Sequence, residues 1–464
     1  MFATSSSRSR RGFSVWSGIT SVLLLGGQLA GAIELNLKDA GSIKRASRTV
    51  ADGMMNYYTG NQTGDIPGNL PEPYYWWEVG AMFGALIDYY YYTGDTTYND
   101  VVTEGMLFQV GPDDNFMPPN QTKTEGNDDQ AFWGLAALSA AENKFPDPPE
   151  GKPQWLALAQ AVFNSQALRW DDATCKGGLR WQIFTFNNGY NYKNTISNGC
   201  FFNMAARLAI YTGNQTYADW AEKTWDWMKD IGLMSPEYKF FDGTDVSINC
   251  TAVDHHQWSY NAGTFLSGAA SMYNFTKEQK WADRTSGILN ATSVFFSPKV
   301  PKVMYEVACE PYEKCNVDQK SFKAYLSRWM AATTKMAPFL TDQIMPYLEA
   351  SANAAAKQCS GGTDGVTCGI KWTQPNWDGS FGVGEQMSAL EVIQSNLITQ
   401  TEGPATAKKG GTSKGDPSAG MGGDSVPSGV RTEKVTSGDR VGAGFLTTLV
   451  CVGVIGGAWW MVAK

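Results

Sequence analysis

Histidine is nearly absent from this sequence of 464 residues, which contains only the adjacent pair His255 and His256. The cysteines form no Cys-x-x-Cys pattern, and no His-Glu-x-x-His motif occurs. These are the spacings with which proteins usually present zinc ligands. We therefore expect neither a metal site nor another cofactor.

Positive charge is also in short supply. Lysine and arginine total 37 against 45 acidic residues, which gives a formal net charge of -8, and the basic residues form no stripe. A nucleic-acid partner would require such a stripe, so this class of partner is excluded. The period-two alternation of half-buried strands is scarce too, which favours an all-α protein.

Residues 1–32 have the features of a secretory signal peptide. Three arginines near residue 10 precede an apolar run from residue 15 to about residue 29, and Ala30-Gly31-Ala32 supplies the small-x-small cleavage pattern. The apolar run is too short for a comfortable transmembrane helix. We predict that this segment is removed from the mature protein.

The other end of the chain indicates a glycosylphosphatidylinositol (GPI) anchor. Residues 441–464 are apolar apart from the final lysine, and residues 403–440 form a linker rich in Gly, Ser, Thr, Pro and Lys. Small residues at Gly422-Gly423 and Ser428-Gly429, a polar spacer and an apolar tail follow in the order of a GPI signal. An ordinary single-span anchor is the alternative, because the tail is long enough to cross a bilayer.

Asn-x-Ser/Thr sequons and cysteines fit a secreted chain. Sequons predict several N-linked glycans; they begin at Asn61, Asn120, Asn214, Asn249, Asn274 and Asn290. Eight cysteines occur, and Cys451 lies in the apolar tail, which leaves an odd number. We expect Cys200, inside an apolar helical run, to be a buried free thiol. The predicted disulfides are Cys309–Cys315 and Cys359–Cys368, from their short spacing, and Cys175–Cys250.

Residues 33–402 contain no linker-like composition and are predicted to form one domain. Ser42 is a candidate N-cap of its first helix. Thr93-Gly94-Asp95 and Thr212-Gly213-Asn214 are predicted helix ends, because glycine suits the left-handed position after a helix. The predicted helices cover residues 42–58, 75–92, 96–110, 127–142, 153–167, 195–211, 216–231, 257–273, 277–293, 319–334, 336–356 and 384–397.

These twelve segments form six helical hairpins that recur at intervals of roughly 20 to 40 residues. Stacked hairpins of this length that close on themselves give an (α/α)6 barrel, a toroid of six hairpins. The alternative is an open α-solenoid, which would need a more regular repeat than this sequence has. We therefore predict an all-α (α/α)6 barrel.

Two aspartates, Asp128 and Asp129, lie at the predicted start of the fourth helix. Acidic residues there ordinarily cap free N–H groups and complement the helix dipole. The dipole lowers a carboxyl pKa, whereas a general acid needs a raised pKa. A catalytic role therefore requires repulsion between the two carboxylates, or an apolar wall, to keep one of them protonated. Retaining glycosidases hold their two carboxyls about 5 Å apart, within reach of adjacent side chains.

The segment around Asp128 and Asp129 resembles the Asp-Asp signature of glycoside hydrolase family 76, the endo-α-1,6-mannanases, and of the family's fungal GPI-anchored cell-wall branch. The resemblance covers nearly the whole domain, because further motifs occur in the same order. They are Tyr75-Trp76-Trp77-Glu78, Gly177-Gly178-Leu179-Arg180-Trp181, Tyr192-Lys193-Asn194-Thr195-Ile196-Ser197-Asn198 and Ser259-Tyr260-Asn261-Ala262-Gly263.

This resemblance implies an (α/α)6 barrel and a double-displacement mechanism, with Asp128 as the nucleophile and Asp129 as the general acid/base. In bacterial members the Tyr-Asn motif usually continues with Gln-Gly, whereas Ala262 occupies the Gln position here. Any sugar contact that those members make through the glutamine is therefore not carried over to this chain.

Sugars bind through C–H faces that stack on aromatic rings and through hydroxyls that pair with amides and carboxylates. The candidate stacking residues are Trp76, Trp77, Trp133, Trp181 and Tyr260, although a tryptophan taken alone is more often a core residue than a cleft residue. The candidate hydroxyl partners are Asn127, Asn194, Asn198 and Asn261. His256 is a further candidate, on a segment in which Asp254 could be only a helix cap.

The leading functional prediction is a retaining transglycosidase at the outer face of the fungal plasma membrane and in the cell wall. It would cleave α-1,6-linked mannose in the glycan core of GPI-anchored proteins and transfer the glycoprotein to a β-glucan acceptor. The first alternative is a hydrolytic endo-α-1,6-mannanase that trims wall mannan. The second is a non-catalytic mannan-binding wall protein, against which the intact Asp128-Asp129 pair argues.

Overall fold

The computed structural model describes residues 32–421 and 437–462. The predicted signal peptide, apart from Ala32, lies outside these residues. So do the small residues at 422–423 and 428–429 that were considered for GPI attachment.

Twelve helices make up the domain, and each corresponds to a predicted segment. They are α1 (Ala40–Met55), α2 (Trp76–Thr93), α3 (Asn99–Phe108), α4 (Asn127–Glu142), α5 (Trp155–Leu168), α6 (Thr195–Thr212), α7 (Gln215–Asp230), α8 (Ser259–Thr276), α9 (Gln279–Ala291), α10 (Phe322–Met336), α11 (Thr341–Gln358) and α12 (Val383–Gln394).

The even-numbered helices form a closed inner ring. α2 packs on α4, α4 on α6, α6 on α8, α8 on α10, α10 on α12, and α12 returns to α2. The odd-numbered helices lie outside this ring, as α5 does against α4 and α7 against α6. Inner helices such as α4 are buried almost all round, whereas the outer α7 and α9 bury one stripe. The closed ring confirms the (α/α)6 barrel and excludes the open solenoid.

The inner helices all run in the same direction, because each outer helix returns the chain to the other end. Their N-termini therefore meet at one end of the barrel, here called the cleft end. Three short antiparallel strands lie at this end: β1 (Tyr192–Asn194), β2 (Gly243–Asp245) and β3 (Val253–Asp254). Tyr192 pairs with Asp245, and Gly243 pairs with Asp254. β1 leads directly into α6 and fixes its first residues.

Local signals at helix ends were mostly predicted correctly. Gly94 and Gly213 both follow a helix in the left-handed conformation, each with a φ of 74°. The N-cap prediction for Ser42 is wrong, because α1 begins at Ala40 and the Asp39 carboxylate accepts the Gly41 N–H at 2.9 Å. Asp39 is the N-cap because it directly precedes the first turn, whereas Ser42 lies within the helix.

The disulfide predictions are confirmed. Cys309–Cys315 and Cys359–Cys368 are bridged within local loops. Cys175–Cys250 joins segments 75 residues apart and ties the loop before β1 to the loop after β2. Cys200 is free and fully buried in α6.

The chain does not leave the barrel at residue 402, where the linker was predicted to begin. Residues 403–421 lie against the flank of the barrel. Ala405 N–H donates to the Glu142 carbonyl at 2.8 Å, and the Ser413 hydroxyl accepts the Leu156 N–H at the start of α5 at 3.0 Å. Asn164 donates to the Pro417 and Ala419 carbonyls. A composition typical of linkers therefore includes a stretch of ordered, hydrogen-bonded backbone.

After residues 403–421 the structure describes one more helix, α13 (Ser437–Val462). Within the described parts of the chain, no helix combines the length and apolarity needed to cross a membrane.

Candidate active site

A cavity of about 230 Å³ opens at the cleft end, where the first turns of the inner helices converge. Its wall contains both aromatic rings and carboxyl groups. The lining residues are Trp77, Asp128, Asp129, Phe132, Trp181, Tyr192, Asn194, Ile196, Asp242, Tyr260, Asp318 and Phe322. Among these described residues there is no lysine, arginine or histidine to neutralise the four aspartates.

The start of α4 places Asp128 and Asp129 in this cavity. Gly126 precedes the helix in an extended conformation, and its N–H donates to the Asp129 carboxylate at 2.6 Å. A side chain at Gly126 would collide with the Asp128 carboxylate, because a Cβ there would lie 2.4 Å from Oδ1. Asp129 therefore does cap its own helix. The capping role and a catalytic role are compatible, since Asp129 also lines the cavity.

Asp128 is held by two N–H donors. The Asn194 side-chain amide donates to Asp128 Oδ2 at 3.0 Å, and the Asp129 backbone N–H donates to Oδ1 at 3.1 Å. Asn194 is itself the N-cap of α6, where its Oδ1 accepts the Ser197 N–H. The first turns of two neighbouring inner helices are thereby joined at the carboxyl pair.

Burial decides the electrostatics of the pair. It raises the pKa of Asp128 well above its ordinary range, and the charge of Asp129 raises it further. Burial also raises the pKa of Asp129 to about 6; the Gly126 N–H opposes this, and the charge of Asp318 adds to it. Two neighbouring buried carboxyls do not both ionise readily, so the pair retains one proton near neutral pH. Burial thus outweighs the effect of the helix dipole on the pKa of both carboxyls. Of the two causes expected from the sequence, burial raises these pKa values more than the repulsion between carboxylates does.

Two further carboxyls, Asp242 and Asp318, lie on the walls of the cavity. Asp242 accepts the Tyr192 hydroxyl at 2.7 Å, and Asp318 accepts the Trp77 indole N–H at 3.2 Å. Burial raises the pKa of both. Each carboxyl is thus fixed by an aromatic side chain that also lines the cavity.

Half of the predicted site residues meet in the cavity. Besides the two aspartates, the wall contains Trp77, Trp181, Asn194 and Tyr260. Trp181 is 37 % exposed, and Tyr260 stacks on Phe322 with ring centroids 3.8 Å apart.

Trp76 and Trp133 do not line the cavity. They stack on each other at 4.9 Å, and Trp133 also stacks on Phe116 at 5.5 Å. Trp133 is fully buried, and the Trp76 indole donates to Gln109. The prediction that Trp133 stacks on a sugar is therefore corrected: it is a core residue between α2 and α4.

Asn127 and Asn198 are likewise structural in this fold. The Asn127 amide donates to the Arg180 carbonyl at 2.9 Å and its oxygen accepts Arg169 Nε at 2.8 Å. Asn198, fully buried, donates to the Leu179 and Asn194 carbonyls. Because these hydrogen bonds occupy both amides, the prediction of direct sugar contact is corrected for both residues. They position the segments that carry Asp128, Trp181 and Asn194.

His256 and Asn261 also lie away from the cavity wall. The His256 imidazole is exposed and pairs with the Asp254 carboxylate at 2.5 Å. Asn261 is buried in the first turn of α8, next to Tyr260, and neither of its side-chain polar atoms has a hydrogen-bond partner.

Six residues of the cavity wall were missed as site residues: Phe132, Tyr192, Ile196, Asp242, Asp318 and Phe322. Tyr192 was noticed only as part of a motif. Asp242 directly precedes β2 and Asp318 begins a 3₁₀ turn before α10, and both are far from Asp128 along the chain. The position of Asp318 relative to a helix could have identified it as a site residue. Asp318 lies just before inner helix α10, as Asp128 lies at the start of α4. That signal becomes informative only once the ring order of the helices is known.

An (α/α)6 barrel with a buried carboxyl pair in an aromatic, acidic cavity defines the class of protein as a glycosidase-type enzyme. The comparisons then give the family. The sequence profile described as glycosyl hydrolase family 76 matches residues 42–408. The chain therefore belongs to glycosyl hydrolase family 76, and it is an enzyme of the glycoside hydrolase or transglycosidase type.

Curated relatives match over nearly the whole chain. Mannan endo-1,6-alpha-mannosidase DCW1 of Saccharomyces cerevisiae is 49 % identical over 442 residues, which cover 95 % of this chain and 97 % of the relative. Mannan endo-1,6-alpha-mannosidase DFG5 of Candida albicans is 45 % identical, covering 95 % and 98 %.

Solved structures show the same architecture. Dfg5 from Chaetomium thermophilum, determined in complex with glucosamine, has a TM-score of 0.81 and 49 % identity and covers 84 % of this chain and 98 % of that one. An inactive variant of an α-1,6-mannanase from Salegentibacter in complex with α-1,6-mannotriose has a TM-score of 0.61. At 20 % identity, covering 77 % and 99 % of the two chains, it supports the fold alone.

Proposed function

We propose that this protein is a retaining glycosidase that cleaves α-1,6-mannosidic linkages at the fungal cell surface and transfers the cleaved glycan to a β-glucan acceptor. The observation that carries the proposal is the buried Asp128-Asp129 pair, which retains one proton in a cavity lined by aromatic rings. The names of the relatives, mannan endo-1,6-alpha-mannosidases, support the choice of linkage.

In the first step, the Asp128 carboxylate attacks the anomeric carbon of the mannose in the cavity. The bond from that carbon to the leaving oxygen breaks, and Asp129 gives its proton to this oxygen. A covalent glycosyl ester on Asp128 results. Burial raises the pKa of Asp128 above that of Asp129, so the proton of the free pair lies on Asp128. The first step requires this proton on Asp129, a shift that the two N–H donors to Asp128 and the charge of Asp318 favour.

In the second step, an acceptor hydroxyl attacks the same carbon. Asp129, now ionised, takes the proton of this hydroxyl, and the ester bond to Asp128 breaks. Two displacements at one carbon restore the original configuration. Water in place of the sugar hydroxyl gives hydrolysis, so transfer depends on how well the acceptor is bound.

The charge of the cavity supports the glycan core of a GPI anchor as donor. That core contains a hexosamine whose ammonium group can pair with a carboxylate. Asp242 and Asp318 offer carboxyls on the cavity wall, and the described lining has no basic side chain that would repel an amine. The similar Chaetomium protein was crystallised with glucosamine, which is consistent with this choice.

The ends of the chain support a location at the outer face of the plasma membrane and in the cell wall. The signal-peptide pattern of residues 1–32 and the GPI pattern of residues 403–464 belong to a secreted protein that stays attached to the membrane. Mannose-containing glycans and the membrane are then its partners.

A hydrolytic endo-α-1,6-mannanase is the second candidate, because the curated names of the relatives describe an endo-mannosidase. Both functions use the same covalent intermediate, so the product distinguishes them. We would incubate residues 32–421 with a short α-1,6-mannoside donor, with and without a β-glucan oligosaccharide, and read the products by mass. Acceptor-linked products support the transglycosidase. Mannose oligomers alone, at saturating acceptor, would support the hydrolase instead.

Replacing Asp318 by Asn is expected to move the alkaline limb of the pH–rate profile to lower pH. Asp318 raises the pKa of Asp129, so removing its charge lowers that pKa. Asp129 must be protonated to act as the acid, and the rate is therefore lost at a lower pH than in the wild type. Asparagine can still accept the Trp77 indole N–H. Asp283→Asn, an exposed carboxyl on α9, is the matched control and should leave the profile unchanged.

A further inference from the structure

Phe186 is an unusually exposed aromatic residue at the cleft end. Its side chain is 67 % exposed, whereas Phe184, two residues earlier, is only 7 % exposed. The two rings stack at 5.2 Å with an angle of 23° between their planes. Phe184 packs with Met117 and Ile183 in a small separate cluster. Phe186 is therefore supported from one side and open to solvent on the other.

The segment that carries these rings is tied to the backbone of the catalytic pair. Asn127 N–H donates to the Trp181 carbonyl at 2.7 Å, and Ile183 N–H donates to the Glu125 carbonyl at 3.2 Å. These bonds join residues 181–183 to the residues directly before Asp128.

The other side of the segment is fixed as well. Trp181 N–H donates to the Tyr192 carbonyl at 2.6 Å, and the Asn187 side chain donates to the Lys123 carbonyl at 3.0 Å. Both ends of the segment, Trp181 and Tyr192, line the cavity. Phe186 thus belongs to an ordered loop whose two ends form part of the cavity wall.

The stacked pair suits one class of ligand better than others. A polysaccharide chain is much longer than a cavity of about 230 Å³, so most of an incoming glycan chain must lie outside it. In β-linked glucose all hydroxyls are equatorial, which leaves both faces of the ring covered by C–H groups. Mannose has an axial hydroxyl that interrupts one face. A flat aromatic surface is therefore a better support for a β-glucan chain than for mannan.

We infer that Phe184 and Phe186 form a binding site for a β-linked glucan chain, outside the catalytic cavity and fixed to the segment that precedes Asp128. The role of this chain as acceptor rests on the proposed function, but its binding does not. Phe186 supplies the contact surface, and Phe184 supports it from below.

Binding to catalytically inactive protein tests this site independently of transfer. An Asp128→Asn/Asp129→Asn protein would be titrated with a linear β-1,3-linked glucohexaose by calorimetry, with and without Phe186→Ala. Because aromatic contacts contribute about 0.5–1.5 kcal/mol, Phe186→Ala should weaken glucan binding by about two- to tenfold, while Phe186→Tyr should preserve it. Binding of an α-1,6-mannotriose should be unchanged in all variants.

Phe339 offers a matched control. It is also an exposed phenylalanine, 47 % exposed, and packs against one aromatic ring, Tyr273, at the end of the barrel opposite the cavity. Phe339→Ala should leave glucan affinity unchanged. Equal glucan affinity with and without Phe186→Ala would overturn the inference, as would an equal loss of glucan and mannoside binding. Failure of the active enzyme to form transfer products would count against the proposed function alone.

Discussion

Asp128→Asn is expected to reduce turnover of an α-1,6-mannoside by about 10⁴-fold or more, on the scale seen when catalytic units lose a member. Asparagine can still accept the Asp129 backbone N–H, but it cannot form the glycosyl ester. The loss should be equally severe for natural mannosides and for donors with an activated aryl leaving group, because bond formation to the carboxylate is required with both. Initial rates on the two donors would measure it.

Asp129→Asn should behave differently with the two donors. A general acid contributes about 10²- to 10⁴-fold, and its contribution is needed only when the leaving oxygen is basic. The variant should therefore lose most activity on the natural mannoside and much less on the activated donor in the first step. Asp219→Asn, an exposed carboxyl on α7, is the control for general effects of charge. Identical donor dependence in both catalytic variants would contradict the two assigned roles.

Arg328→Met is expected to cost about 3–5 kcal/mol of unfolding free energy, the range measured when one partner of a buried ion pair is removed. Arg328 Nε lies 2.7 Å from Asp88 Oδ2, and its Nη2 lies 2.6 Å from Glu391 Oε1. These contacts join α10 to α2 and α12, where the inner ring closes. Burial already raises the pKa of Asp88, and it raises that of Glu391 to about 8. Without the guanidinium, both buried carboxyls would lose their ion-pair partner.

Urea unfolding of the wild type and variant would measure this loss. Lys280→Met is the matched control, because Lys280 bridges Glu222 and Glu278 with its side chain 47 % exposed. Exposed pairs contribute about 0–1 kcal/mol. A loss for Arg328→Met no larger than that of the control would contradict a structural role for the ion pairs at the ring closure.

The fold was predictable because its signals are local. Glycine after a helix ended α2 and α6 as expected, since the left-handed position at Gly94 and Gly213 depends on neighbouring residues alone. The closed ring followed from repeated hairpins. The end of the domain was not predictable from composition, because hydrogen bonds such as that between Ser413 and Leu156 join residues far apart in sequence.

The candidate site was only partly predictable for a similar reason. Asp128, Asp129 and Asn194 stand at helix starts within recognisable motifs, and all three line the cavity. An aromatic residue in a motif carries no such information: Trp77 lines the cavity, whereas Trp133, also in an inner helix, is buried in the core. Asp318 is far from Asp128 in the sequence, and only the closed ring of inner helices brings both residues to one cavity.

The configuration of the first product tests the central claim most directly. The soluble enzyme would be mixed with an α-1,6-mannoside, and the anomeric proton of the new reducing end or glycosidic bond would be followed by NMR before mutarotation. Double displacement through Asp128 predicts an α-configured first product, with the β form growing only later by mutarotation of any free sugar. A β-configured first product would show a single displacement and would contradict the account of the carboxyl pair.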